Sequence, residues 1–214
     1  MGKVIADVQG KVKASDTSAT FEVENATSSV NYVLSKTDGS ANDHLKTDGA
    51  GNLAWVAPAA PASNTPAFLA TLSASRTITD LATVNAECNT EVLDTDGLYD
   101  NSTNYRFTLT PTTLGWYWIS GSAEVAFGYT NAAYLRVMIY RNGDEYYTSY
   151  QNLPSSQTTY GLTASGIVDL TTAGDYVELF VRADDTVGNP QLNGKGSNTF
   201  VGTYFNGYKL AGVS

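Results

Sequence analysis

A chain of 214 residues with 42% hydrophobic content has room for one sandwich-type domain and a smaller appendage. Its net charge of −9 argues against a nucleic-acid or anionic-membrane face, which clustered Lys and Arg would have to supply. One cysteine, Cys88, and one histidine, His44, exclude an internal disulfide and a zinc site built from nitrogen and sulfur ligands.

Taken in chain order, the opening "MGKVIADVQG" lacks the continuous apolar segment of a secretory signal, and no later run is long enough to span a membrane. Val4, Ala6, Val8, then Phe21 and Val23, then Val30, Tyr32 and Leu34 alternate with polar residues, the period of strands with one covered face. Apolar residues are too few here for an independent core. Residues 1–57 are therefore expected to be a β-rich anchoring and trimerisation segment, ordered on copies of itself or on a larger structure.

The segment "KTDGSANDHLKTDGAGNL" states Lys-Thr-Asp-Gly twice. Counted from Asp38, the sixth and twelfth positions are Asp43 and Gly49, where a calcium loop of the EF-hand type needs Gly and Glu. Asp38-Gly39 and Asp48-Gly49 thus read as turns, with Gly supplying positive φ and Asp capping the bend. "APAAPASNTPA" follows, and residues 58–66 read as a semi-rigid Pro/Ala-rich linker.

Residues 67–214 read as strand after strand. "GWYWISGSAEVAF" puts Tyr117, Ile119, Ala123, Val125 and Phe127 on one face, with Trp116 and Trp118 on the other. Leu135, Val137 and Ile139 line a second strand, Asn142-Gly143 signals a hairpin, and Val177, Leu179 and Val181 line a third. Many short strands at this spacing imply an all-β antiparallel sandwich. Exposed indoles would make a sticky patch on a monomer, so Trp116 and Trp118 are expected at a subunit interface with Tyr204 and Tyr208.

Two polar groups suggest sites. Asp94, Asp96 and Asp100 alternate around a glycine, a pattern that could hold calcium, the one cofactor the chain suggests. Residues 150–164 read as a long polar loop without Asp or Glu. Its Tyr150, Gln151, Asn152 and Tyr160 offer stacking and adaptable hydrogen bonds, the chemistry of glycan or protein recognition. No catalytic residues emerge: a histidine-based triad would need His44, inside a turn. A binding protein without enzymatic activity is expected.

Several segments in register carry a resemblance. "AFLATLSAS", "DGLYD", "FTLTPTTLGWYWI", "YRNGDE", "ASGIVDLTTAGDYVEL" and "TYFNGYKL" resemble the successive motifs of the C1q globular domain, a relative of the tumour necrosis factor jelly roll. The resemblance covers residues 67–212 and implies a ten-stranded antiparallel jelly-roll sandwich that assembles as a homotrimer. In the first 57 residues, "HLKTDGAGNLAWV" is similar to segments of tailed-bacteriophage fibre proteins. Together these resemblances imply a trimeric virion surface protein, a short fibre, spike or knob, assembled in the host cytoplasm. Its expected partners are its own copies, other virion proteins through the N-terminal segment, and a host-surface glycan or protein, with no nucleic acid and no membrane insertion. The rival readings are a capsid decoration protein without a receptor, and a free C1q-like lectin.

Overall fold

The structure, a computed structural model, describes residues 20–25, 28–33, 38–50, 52–60, 63–128, 132–195 and 201–212. It divides into two compact units, Met1–Pro61 and Ala62–Ser214. Among the described residues every regular element longer than a turn is a strand.

In the first unit, β1 (Thr20–Asn25) and β2 (Ser28–Val33) pair antiparallel, Phe21 opposite Tyr32 and Val23 opposite Val30. Val4, Ala6, Val8 and Leu34 lie outside the described residues. A second hairpin joins β3 (His44–Thr47) to β4 (Leu53–Val56). Its turn is capped by Asp48, whose Oδ1 accepts the Ala50 and Asn52 amides at 2.8 and 3.1 Å while Oδ2 accepts the Asn52 side-chain amide at 2.6 Å. Gly49 takes φ +81° there, the positive φ foreseen for it. The first Asp-Gly differs. The left-handed residue of that turn is Asn42, at φ 76°, and Gly39 is needed for space, since a Cβ on it would stand 2.8 Å from the Trp55 indole.

The second unit opens with short strands: β5 (Ala67–Thr71), β6 (Arg76–Thr77), β7 (Val84–Asn85), β8 (Thr90–Asp94), β9 (Tyr99–Asp100) and β10 (Arg106–Thr108). Five long ones follow: β11 (Gly115–Ala126), β12 (Ala132–Arg141), β13 (Asp144–Asn152), β14 (Thr159–Leu170) and β15 (Tyr176–Asp185). β16 (Gln191–Leu192) and β17 (Tyr204–Lys209) complete it. One sheet runs β8-β5-β17-β11-β14, and β16 and β6 prolong its middle at one end. The other runs β9-β10-β15-β12-β13, with β7 beside β15. Ten principal strands, all antiparallel, thus form two five-stranded sheets, and β10 to β15 switch sheets at every connection but the β12–β13 hairpin. That is the jelly-roll path.

The hairpin follows from its sequence. Asn142 and Gly143 both take positive φ, 53° and 87°, as the tight turn with native strand twist requires. Alternation then decides what is buried. Tyr117, Ile119, Leu135, Val137, Leu179 and Val181 point between the sheets, and all are at most 1% exposed.

Phe68 sits at the centre of this interior. Its ring stacks on Phe107 of the opposite sheet at 4.4 Å between centroids and on Tyr99 at 5.3 Å, and it meets Phe205 edge-on at 5.0 Å. Tyr99 and Tyr117 bury their rings but donate their hydroxyls to the Cys88 and Thr113 carbonyls, so neither phenol is left unpaired. Truncating a fully packed aromatic loses its transfer energy and leaves a void. Phe68→Ala is expected to cost about 3–5 kcal/mol, read as a lower urea midpoint at unchanged m-value.

Candidate functional site

The two sheets turn chemically different outer faces to their surroundings. On the β8-β5-β17-β11-β14 sheet, residues out of phase with the core strands line up by register: Trp118 stands opposite Tyr208 on one side and Ile167 on the other. Trp116 lies one step along the same strand, opposite Asp169, and Leu69 pairs with Leu93. Trp116, Ile167, Tyr208 and Leu93 are 36%, 44%, 39% and 48% exposed. Ile167, Trp118 and Tyr208 thus form an apolar band over three strands, while Leu69 and Leu93 lie one row along, level with Asn206 and Ser120. Three of the four residues expected at an interface, Trp116, Trp118 and Tyr208, fall on or beside the band, and Tyr204 is on the same face farther along, opposite Ser122.

The residues expected to form a binding loop are distributed otherwise. β13 continues through Asn152 and β14 begins at Thr159, so Tyr150, Gln151 and Asn152 are strand residues and the loop is only Leu153–Thr158. Tyr160 stands opposite Val125 on the inner side and packs against the core. It is removed from the candidate set. Tyr150 and Asn152 share the outer face of the β9-β10-β15-β12-β13 sheet, opposite Arg136 and Tyr134, whereas Gln151 has the other parity, opposite buried Leu135. Tyr150 is 53% exposed; its ring lies 5.3 Å from that of Tyr134 and its hydroxyl donates to Asn152 Oδ1 at 2.7 Å.

A feature that the sequence did not announce joins the two sheets along one side. Tyr147 and Ser149 reach from β13 and donate their hydroxyls to the Ile167 and Thr163 carbonyls of β14, at 2.7 and 2.6 Å. Gly166 makes room for this, because a Cβ there would stand 2.4 Å from the Tyr147 ring. The Ser-Gly pair in the sequence was the available signal, since glycine inside a strand often marks a close approach.

The aspartates are turn caps. Asp94 accepts the Asp96 and Tyr99 amides at 3.2 and 2.8 Å, and Asp96 accepts the Thr95 hydroxyl. Asp100 accepts the Ser102, Thr103 and Asn104 amides at 3.0, 2.9 and 3.0 Å. Among the described residues, no three acidic, His or Cys side chains are placed to hold a metal ion. Burial pushes the Cys88 thiol up to about 12, so at neutral pH it is a protonated thiol rather than a nucleophile. His44 lies on exposed β3.

No protein family and no curated protein matches the chain by sequence. Among solved structures, it is similar to the globular domain of zebrafish complement 1qA protein. That likeness has a TM-score of 0.45 and 17% identity, covering 68% of this chain and 98% of that one. It is also similar to murine APRIL at pH 5.0, with a TM-score of 0.47 and 14% identity, covering 67% of this chain and 99% of that one.

The turn at Asp100 has a measurable consequence. The Ser102 and Thr103 amides, with smaller help from Asn104, hold its carboxyl well below the usual carboxylate range. A carboxylate with a depressed folded value stabilises the fold above the unfolded value near ~3.9 and loses that contribution as pH falls toward the folded value. Asp100→Ala is expected to cost about 1 kcal/mol at pH 7, the scale of a lost cap. The gap between wild-type and variant melting temperatures, followed by calorimetry, should narrow below about pH 4.

Proposed function

We propose that this chain is a trimeric virion surface protein, a short fibre, spike or knob of a tailed phage, whose jelly-roll head binds a host-surface glycan or protein and catalyses nothing. The observation that carries the reading is the apolar band of Trp118, Ile167 and Tyr208 on one sheet, with Leu69 and Leu93 one row along. Such a band is uncomfortable in water and well suited to burial against a second and third copy. The opposite sheet keeps a different surface, with the Tyr134–Tyr150 ring pair beside amides and arginines, and adhesion is assigned to it. Three such faces on one particle act together, so avidity offsets modest affinity at each. The virion location rests on the resemblance of residues 1–57 to phage fibre segments.

Light scattering of the purified chain at micromolar concentration is expected to give the mass of three copies. Trp118→Glu, which places a charge in the band, should give a monomer with an unchanged far-UV spectrum. A monomeric wild type would remove the trimer. Adhesion is tested with labelled protein on intact bacteria. Tyr150→Ala is expected to leave trimer and melting temperature intact and to weaken attachment about tenfold or more, because a small loss at each site is multiplied by three. Unchanged attachment would favour a decoration role without a receptor. Tyr160 does not belong in that experiment, since its truncation would open the core.

A further inference from the structure

We infer that the outer face of the β9-β10-β15-β12-β13 sheet binds a carboxylated sugar through Arg182, seated beside the Tyr134–Tyr150 pair. This deepens the adhesion reading above and rests on it for the biological setting, though not for the chemistry.

The starting point is an unusual cross-strand neighbour. Arg136 of β12 and Arg182 of β15 are directly opposite in register, and with Tyr150 opposite Arg136 the row reads Tyr150–Arg136–Arg182 across three strands. Like charges placed directly opposite on a sheet repel, so each guanidinium needs an acceptor of its own. Arg136 has them: Nε donates to Thr148 Oγ1 at 3.0 Å, and its outer nitrogen pairs with Glu145.

The other arginines near this domain's surface are engaged as well. Arg76 pairs with Glu87 at 2.8 Å, Arg141 pairs with Asp169 at 2.8 Å, and Arg106 lies over the Tyr176 ring at 4.2 Å. Arg182 is different. Its Nε is buried without a partner, as are those of Arg76 and Arg141, but whereas the outer nitrogens of those two are paired with carboxylates, among the described residues the Arg182 guanidinium forms no ion pair within 4 Å and donates no hydrogen bond. Asp184, two residues on and opposite Tyr134, shares the face without closing that gap.

A planar donor fork with no acceptor calls for a planar acceptor, and a carboxylate fits it with two parallel bonds. Tyr150 in this row and Tyr134 in the next present rings on the same face, and Asn152 lies opposite Tyr134. Aromatic faces beside amides suit the C–H face and hydroxyls of a pyranose. The combination selects an acidic sugar over a neutral one, and over a bare anion, which would gain nothing from the rings. The absence of Asp and Glu from residues 150–164, taken alone, fits a neutral ligand. The sheet register reverses that by setting Tyr150 in line with arginines from two other strands, while Asn152 lies in line with Tyr134 and Asp184.

The test uses the full chain and two carboxylated probes, oligogalacturonate and oligomers of N-acetylneuraminic acid, each beside its methyl ester, with inorganic phosphate as a competitor. By calorimetry, at least one free acid is expected to bind at least tenfold more tightly than its ester. Arg182→Gln should lose that preference, Arg182→Lys should keep part of it, and Tyr150→Ala should weaken acid and ester alike. All variants should keep the wild-type melting temperature and mass. Equal binding of acid and ester, undiminished binding by Arg182→Gln, or no binding of either acid would overturn the inference. Phosphate binding as tight as the sugar would also overturn it by reducing the site to an anion hole. Cell attachment by a chain that binds acid and ester equally would leave adhesion standing while this inference fails. Carboxylate-selective binding without attachment to any cell would do the reverse.

Discussion

The stack of Phe68 on Phe107 is the contact from which the rest of the head is arranged. It joins a strand in the middle of one sheet to a strand of the other at 4.4 Å, with Tyr99, Phe205 and Tyr117 packed around it. Once that ring is fixed, the period-two backbone leaves no freedom. Phe68 and Ala70 along β5 point inward and β17 inherits their parity through register, whereas a register shift at Leu69/Ala70 interrupts it on β8. The outer faces are therefore fixed by the inner packing.

That constraint explains why the two surfaces can differ so much in character. Inner positions are held to apolar side chains by burial, while outer positions answer only to their surroundings. On one sheet these positions include Trp116, Trp118, Ile167 and Tyr208 beside serines and Asn206; on the other they include Tyr134, Tyr150, Arg136, Arg182 and Asp184 beside Met138 and Phe180. The edges are under a third constraint. An unpaired strand invites another chain, and here β13 covers β14 with side-chain hydroxyls that bond its carbonyls, so the flank beside the face that carries Tyr134 and Tyr150 is occupied by the molecule itself.

The sequence was most legible where one face is buried and the other is wet. The inner sets of β11, β12 and β15 and the Asn142-Gly143 turn needed nothing beyond period and turn chemistry. β13 is legible only in part, because an edge strand with few buried residues shows weak alternation and its end reads as a polar loop. Tyr160 was within reach of the period, since Tyr160, Leu162, Ala164, Val168 and Leu170 alternate along β14, and its pairing with Val125 places it on the inner side. Gly39 followed composition, in which Asp-Gly means positive φ, until the Trp55 ring supplied another reason for glycine. The Arg136–Arg182 juxtaposition was beyond reach, because it depends on which of many strands pair and in what register.

One detail of the head's backbone bears on how such a unit travels between proteins. β5 enters beside the strand on which the domain ends: Ala67 faces Tyr208, the Lys209 amide bonds the Pro66 carbonyl at 2.9 Å, and the Ala211 amide bonds the Asn64 side chain at 3.1 Å. Entry and exit share one doorway. A module built so can be spliced into a surface loop of an unrelated host, or relinked through its old ends and opened elsewhere, with little stretching of either chain. Evolution can then treat it as a detachable cassette, exchanging the outer faces while Phe68 and its neighbours keep the frame.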